Sequence, residues 1–233
     1  RYDLLTKSYN KKGDDSLEEY MEQVLTRHVS GRLKVAPEHT APNTLRIMRK
    51  PSFEHFKEFT HMFNKIDKKH ELNQQLIPYF ISSHPGCQQE DMANLATETK
   101  ELGFKLEQVQ DFTPTPMTVA TVMYYSGYHP YTMDEHYTPK SKQEKQEQHR
   151  YFFWYKRENK DWIKAQLTKA GRLDLLERLM RPTKRSFDKP PTKKAFKEKP
   201  TKQRSGKSKS PIGEQNQAPN RKFKKNRKKP TRR

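Results

Sequence analysis

Apolar positions along the chain switch repeatedly between helical and extended spacing. Leu17, Tyr20, Met21, Val24 and Leu25, with His28, recur at helical intervals. Ser16-Leu17-Glu18-Glu19 ahead of them has the form of a capping box, so the spacing predicts an amphipathic helix over 16–29. Gly31 stands where such a helix stops. LKVA at 33–36 predicts a short strand limited by Pro37, with Glu38-His39-Thr40 at its carboxyl end. A short helix through Leu45, Ile47 and Met48 follows. A longer one is capped by Ser52 and carries Phe53, Phe56, Thr60, Phe63 and Ile66 on one side.

The stretch from Leu76 to Asp91, LIPYFISSHPGCQQED, contains the longest apolar run in the chain. It reads as strand, Pro-Gly turn and helix start. Pro78 cannot donate to a ladder, which assigns it to the strand's beginning or to a bulge and leaves Tyr79 to Ser82 as the regular part. Met92, Leu95, Ala96, Thr99 and Leu102 form the apolar face of a helix over 88–102, with Gly103 as its C′ residue. Leu106 to Phe112 is a third strand candidate, ended by Thr113-Pro114-Thr115-Pro116. Helix and strand alternate, so the three strands are expected to be parallel, with right-handed crossovers. Beyond Met117, Thr121 to Tyr125 reads as a last strand or an extended packing segment, and Gly127 to Pro139 as irregular. Helices are expected over 142–156, from an Asn159 cap through Leu167, and over 173–179. The resulting organisation is an α/β part at 1–137, a helical region at 138–180 and a tail at 181–233.

Composition changes the picture of the tail alone. Residues 181–233 hold 21 Lys+Arg against 3 Asp+Glu, and so carry 18 of the 20 net positive charges. With few apolar residues to bury, this segment is expected to be disordered. It binds nucleic acid through phosphate charge, or else it only solubilises the chain. No apolar run approaches the roughly 18 residues of a membrane-spanning helix. The residues after Arg1 lack the apolar core of a secretory signal, so none is expected. Cys87 is the one cysteine; it permits no internal disulfide and fits a reducing, cytoplasmic setting. Near a helix start its thiol is either lowered in pKa or is merely a small loop residue. No histidine pair has the spacing of a zinc protease, and no catalytic or metal-ligating set is complete.

Ligands of open α/β sheets lie at the carboxyl ends of strands. Three positions qualify: Glu38 and His39, the loop from Ser82 to Gly86, and Asp111 with the Pro-rich loop. Their residues meet a ligand or serve as loop hydrogen-bonding groups.

Several blocks occur in a characteristic order: RYDLL at 1–5, GRLKVAPEHT at 31–40, LIPYFISSHPG at 76–86, LEQVQDFTPTP at 106–116 and TVMYYSG at 121–127. Together they resemble the carboxyl-terminal half of the YgiQ-type radical SAM proteins, over residues 1–180. The resemblance implies the C-terminal half of a partial (β/α) radical SAM barrel, followed by a small helical appendage and a basic tail. It implies a 4Fe–4S cluster and S-adenosylmethionine as cofactors, and generation of a 5′-deoxyadenosyl radical that abstracts hydrogen from an unassigned substrate. The cluster loop of such families, C-x3-C-x2-C, is not in this sequence and is expected upstream of Arg1, so the chain alone is expected to be inactive and Cys87 is not a cluster ligand. Carried over by position, Glu38, His39, Ser82, His84, Gly86, Gln110 and Asp111 are the cofactor-cavity candidates. The alternative is a non-catalytic RNA- or ribosome-associated module that binds through its basic tail.

Overall fold

A three-stranded parallel sheet positions the rest of the chain. The structure, a computed structural model, describes residues 1–6 and 16–182. Its strands, β1 (Arg32–Glu38), β2 (Gln75–Ser82) and β3 (Gln108–Asp111), lie in the spatial order β1-β2-β3. Both pairings are parallel, as the alternation of helix and strand predicts. Helix α1 (Ser16–His28) precedes β1. Helices α2 (Pro42–Ile47) and α3 (Phe53–Lys69) connect β1 to β2, and α4 (Gln89–Glu101) connects β2 to β3. Then come α5 (Val119–Ser126), α6 (Lys142–Phe152), α7 (Arg157–Lys169) and α8 (Leu173–Met180). The tail expected at 181–233 lies, from residue 183 onward, outside the described residues.

Pro78 sits inside the central strand, and the pairing shows how it is accommodated. On one side the β2–β3 ladder begins only at Tyr79, opposite Gln108, so the missing N–H of Pro78 interrupts nothing there. On the other side Pro78 faces Val35, and the register shifts immediately afterwards, with Phe80 facing Glu38. The extra residue lies in β1, which contains the donorless Pro37, and Glu38 turns out of the bulge at φ 67°.

One apolar core joins the sheet with all of these helices but α5. Phe53, Phe56, Phe59, Phe63 and Ile66 give α3 a buried stripe, which meets Met21 and Leu25 of α1 and Phe80 of β2. Each such side chain contributes about 1.5–3 kcal/mol relative to exposure. Tyr151 and Phe152 of α6, Ile163 and Leu167 of α7, and Leu175 and Leu179 of α8 enter the same core. Helix α4 carries Lys100 into it at 3% exposure. Its ammonium donates to the carbonyls of Arg178 (2.7 Å) and Arg181 (2.5 Å), so it closes the carboxyl end of α8, where a cation is favoured.

The segment 121–125 is helix rather than strand. The hydroxyl of Thr118 accepts the N–H of Thr121 (3.3 Å), and Gly127 stops the turn at φ 80°, its N–H bonded to the Met123 carbonyl (2.8 Å). These caps act on a short segment that pairs with no strand among the described residues, and they outweigh the β propensity of its Val, Thr and Tyr residues. Helix α6 ends at Phe152 rather than reaching 156. Asn159 lies inside the first turn of α7, and Lys156 is the N-cap. The Asn159 amide donates to the Phe153 carbonyl (3.0 Å), tying α7 to the end of α6.

Replacing Lys100 by Met leaves two terminal carbonyls of α8 without their cationic donor. Lys100→Met is expected to lower unfolding free energy by about 1.5–3 kcal/mol in urea titrations, with faster amide exchange concentrated in α8. An unchanged midpoint would count against the cap.

Candidate functional site

The carboxyl ends of β1 and β2 run into a loop whose backbone is buried and must find partners. Residues 82–87 are all buried. The Ser82 carbonyl accepts from the Phe112 N–H (2.8 Å), the Gly86 N–H donates to the Tyr137 carbonyl (2.7 Å), and the remaining partner comes from α6. Gln148 is 2% exposed. Its Oε1 accepts the N–H of Ser83 (2.8 Å) and the thiol of Cys87 (3.4 Å), and its Nε2 donates to the Cys87 carbonyl (2.8 Å). Cys87 is itself held by His39, whose Nε2 lies 3.3 Å from the sulfur. The other ring nitrogen, Nδ1, accepts the N–H of Ala41 (3.0 Å), which leaves the proton of a neutral ring on Nε2, pointing at the sulfur. Burial, with the nearby His84, pushes His39 down to about 3, so the ring is neutral. Burial likewise pushes the Cys87 thiol up, and Asp91 adds to the effect. The thiol is therefore a packed donor, and of the two sequence readings the small loop residue is the one realised.

Ser82 and Asp111 are paired residues of adjacent strands and act together. The Ser82 hydroxyl donates to Asp111 Oδ1, and His149 Nδ1 lies 2.8 Å from the same oxygen. Burial works to raise the Asp111 pKa, but the bonds from His149 and Ser82 outweigh it, and the carboxyl is held below its ordinary 3.8. This is not a nucleophile–base–acid relay. The serine and the histidine both bond to the carboxylate, and the serine proton is directed at Asp111 rather than at an imidazole nitrogen.

The remaining candidates do not converge with this pair. Glu38 has one carboxylate oxygen on Lys50 Nζ (3.1 Å). His84 is buried, donates from Nδ1 to the Pro85 carbonyl (2.9 Å) and packs edge-on against Phe112; burial lowers its pKa despite that carbonyl. Gly86 has φ 84°, and a Cβ there would overlap Cδ1 of Ile47, so its role is close packing of the loop on α2. Gln110 is exposed and accepts the hydroxyl of Tyr79. The sequence reading missed Gln148 and His149. The signal for Gln148 was its helical phase: it lies three and four residues before Tyr151 and Phe152, a polar group on an apolar stripe.

Two clefts adjoin these elements. The larger, of about 950 Å³, runs along the outer side of β1 between Tyr2, Leu33, Val35, His55 and Phe59. Its walls are largely apolar, away from the Ser82–Asp111 pair. The second, of about 690 Å³, lies between Asp111 and the α6 residues Lys142, Lys145, Gln146, His149 and Arg150, with Lys140. Among the described residues, no helix is long and apolar enough to cross a membrane, and no group of three or more His, Cys, Asp or Glu side chains could hold a metal ion.

Parallel strands with polar side chains at their carboxyl ends define an α/β protein with a strand-end site. Residues 107–233, more than half of the chain, match a family model described as "Domain of unknown function (DUF3362)", and the chain belongs to that family. It is 58% identical over 184 residues to a UPF0313 protein of Porphyromonas gingivalis, a match that covers 78% of this chain and 29% of that relative. A UPF0313 protein of Bacteroides thetaiotaomicron is 56% identical over 180 residues (77% and 29%). One from Methanocella arvoryzae is 46% identical over 160 residues (68% and 26%). The chain thus spans less than a third of the length of these relatives. No solved structure matches it.

Gln148→Leu keeps the shape of the side chain but strands the Ser83 N–H and the Cys87 carbonyl. It is expected to cost about 3 kcal/mol, each buried unpaired group costing roughly 1–3, read as a loss of Tm. A separate test concerns Asp111. Its folded pKa is depressed, so its contribution is complete above the ordinary value of 3.8 and is lost as pH falls through the lower folded value. The stability gap between the unmodified chain and Asp111→Asn should narrow on acidification below about pH 4. A gap that is constant with pH would contradict the assignment.

Proposed function

We propose that this chain supplies the carboxyl-terminal strands of a radical SAM iron–sulfur enzyme of unassigned reaction, and that these strands line its S-adenosylmethionine and substrate cavity. The observation that supports the reading is a group of buried polar atoms at the carboxyl end of the sheet. Glu38 Oε2, Thr40 Oγ1, Thr44 Oγ1 and Ser83 Oγ have no hydrogen-bond partner among the described residues. A buried polar atom left unpaired costs about 1–3 kcal/mol, so a ligand that brings complementary groups would be strongly favoured there. S-adenosylmethionine carries an ammonium, a carboxylate, ribose hydroxyls and an adenine edge, and these fit such a donor and acceptor set. Glu38 would take a ligand donor on Oε2 while Lys50 holds its other oxygen. The hydroxyls of Ser83, Thr40 and Thr44 would serve as donor or acceptor.

The cluster does not fit the described residues. Cys87 is the chain's one cysteine, its thiol is bonded to Gln148, and no other metal-ligating group is assembled. In this reading the C-x3-C-x2-C loop belongs to another part of the enzyme. When bound, the cluster and S-adenosylmethionine supply a 5′-deoxyadenosyl radical. The part taken by this chain is to bind and orient. A cytoplasmic location goes with the reading, because the cluster needs a reducing compartment.

The test uses the full-length Porphyromonas gingivalis relative, reconstituted without oxygen from iron and sulfide. It should retain both elements and release 5′-deoxyadenosine from S-adenosylmethionine on reduction. In a hybrid of that relative whose matching segment is replaced by this chain, Glu38→Gln should weaken S-adenosylmethionine binding about tenfold while the iron content stays unchanged, the loss of one charge-assisted hydrogen bond. A relative that retains no iron and sulfide, or forms no 5′-deoxyadenosine, would refute the reading.

A further inference from the structure

The start of the exposed face of α6 departs from the rules that stabilise helices, whereas His149 and Arg150 in its last turn obey them. Lys142, Lys145, Gln146, His149 and Arg150 recur at helical spacing and line one wall of the 690 Å³ cleft. Lys142 is the first residue of the helix, where the macrodipole favours acids, and it stands three residues from a second lysine. The acids of α6 do not neutralise the stripe. Glu144 is taken by the Ser141 N–H (2.9 Å) and the Tyr137 hydroxyl (3.0 Å), and Glu147 accepts from Gln143 (3.0 Å). Asp111 is the one carboxylate in the cleft wall and is bonded to Ser82 and His149. Arg150 is partly accounted for by the Trp162 ring of α7, 4.9 Å from its guanidinium. The Lys142–Lys145 part of the stripe, kept at a local cost in stability, suits a bound anion.

Aromatic rings continue the same surface. Lys145 Nζ donates to the Tyr124 hydroxyl (3.0 Å) and lies 4.8 Å from the centre of that ring. Tyr124 meets Tyr125 edge-on at 5.2 Å. Tyr125 is 70% exposed, and its carbonyl accepts from Lys140 Nζ (3.2 Å). Val122 and Tyr128, on and just beyond the same helix α5, are also exposed. Exposed rings interleaved with cations are the two components of a surface for single strands: bases stack on the rings and phosphates follow the cations. A duplex, its bases already stacked, would use only the charge.

We infer that the surface formed by Tyr124, Tyr125 and the Lys140, Lys142, Lys145 and Arg150 cations of the α6 cleft binds single-stranded nucleic acid. This is a site within the described residues, distinct from the charge of residues 181–233, and it does not depend on the radical SAM reading.

The test is fluorescence anisotropy of the full chain with a labelled mixed-sequence single strand of about twelve nucleotides, within the usual site sizes, and with the matching duplex, over a series of salt concentrations. Tyr125→Ala should weaken single-strand binding roughly tenfold, the loss of one stacked base, and leave the duplex unchanged. Lys142→Ala combined with Lys145→Ala should reduce the salt slope by about 1.4, at 0.7 per phosphate. The corresponding Arg pair should restore that slope. Lys164→Ala with Lys169→Ala, a change of equal charge at exposed positions on α7, should leave it as it was. Tyr125 and Lys142 are exposed, so their replacement is compatible with folding, and far-ultraviolet circular dichroism checks that it is. Affinities and slopes unaltered by the Tyr125 and Lys142/Lys145 changes would assign binding to residues 181–233 and overturn the proposal. So would the absence of oligonucleotide binding, or binding to anionic phosphatidylserine vesicles alone.

Discussion

The structure depends on the bonds of a single amide, that of Gln148. The loop after β2 is buried, and buried backbone groups must be paired. With no fourth strand beside it among the described residues and only a short turn of its own, the loop is bonded at its ends to Phe112 and Tyr137, and in its middle to a helix that starts some sixty residues later. That requirement fixes where α6 lies. Once Gln148 is seated, the next residue, His149, falls beside Asp111 of β3, and the residues on the opposite side of the helix form the cationic wall. One buried amide thus sets the geometry of the carboxylate pair and of the cleft. It also joins the family-matched region, which begins at 107, to the strand and loop that precede it.

The sheet shows the same economy. A proline in a central strand is ordinarily excluded because it removes a ladder donor. Here β3 is short enough to begin one residue past it, and β1 carries its own proline and a bulge opposite. The irregularity that absorbs Pro78 also turns Glu38 and His39 in different directions. Glu38 emerges with one oxygen on Lys50, and His39 goes into the core against Cys87. Two adjacent residues at one strand end therefore have unlike roles, one available to a ligand and one holding the loop.

How much of this the sequence discloses follows from which forces are local. The stripes of α1, α3 and α4 follow from periodicity, because burial of one face dominates their energetics. The strands follow from short apolar runs, expected at 33–36 and 79–82, and extend in the structure to 32–38 and 75–82, β1 because the bulge carries it past Pro37. Segment 121–125 misleads because its β-branched and aromatic residues suit a strand, and the deciding terms were the Thr118 cap and Gly127 with no strand paired to it among the described residues. The Cys87 thiol misleads for a different reason. Proximity to a helix start is visible in the sequence, but the enclosure by His39 and Gln148 that raises its pKa is made by residues 48 and 61 positions away. Likewise Ser82 and Asp111 each lie at an expected strand end, but their pairing needed the β2–β3 register, and His149 needed the seating of α6.

What these residues can do chemically is constrained by the direction of their protons. Ser82 donates to Asp111, whose carboxyl is held below its ordinary pKa by this bond and that of His149, so the group that holds the serine proton is a weak base and no imidazole takes it. Cys87 is protonated and enclosed, and His39 is neutral with both nitrogens engaged. Ser82, Asp111, Cys87 and His39 are thereby tied into structural bonds. The groups left over are unpaired oxygens at Glu38, Thr40, Thr44 and Ser83 and the cations of the cleft. Such a set suits binding and orientation better than covalent or acid–base turnover. In the function proposed above, where a cofactor would deliver the reactive species, holding partners without reacting with them is the task left to this wall.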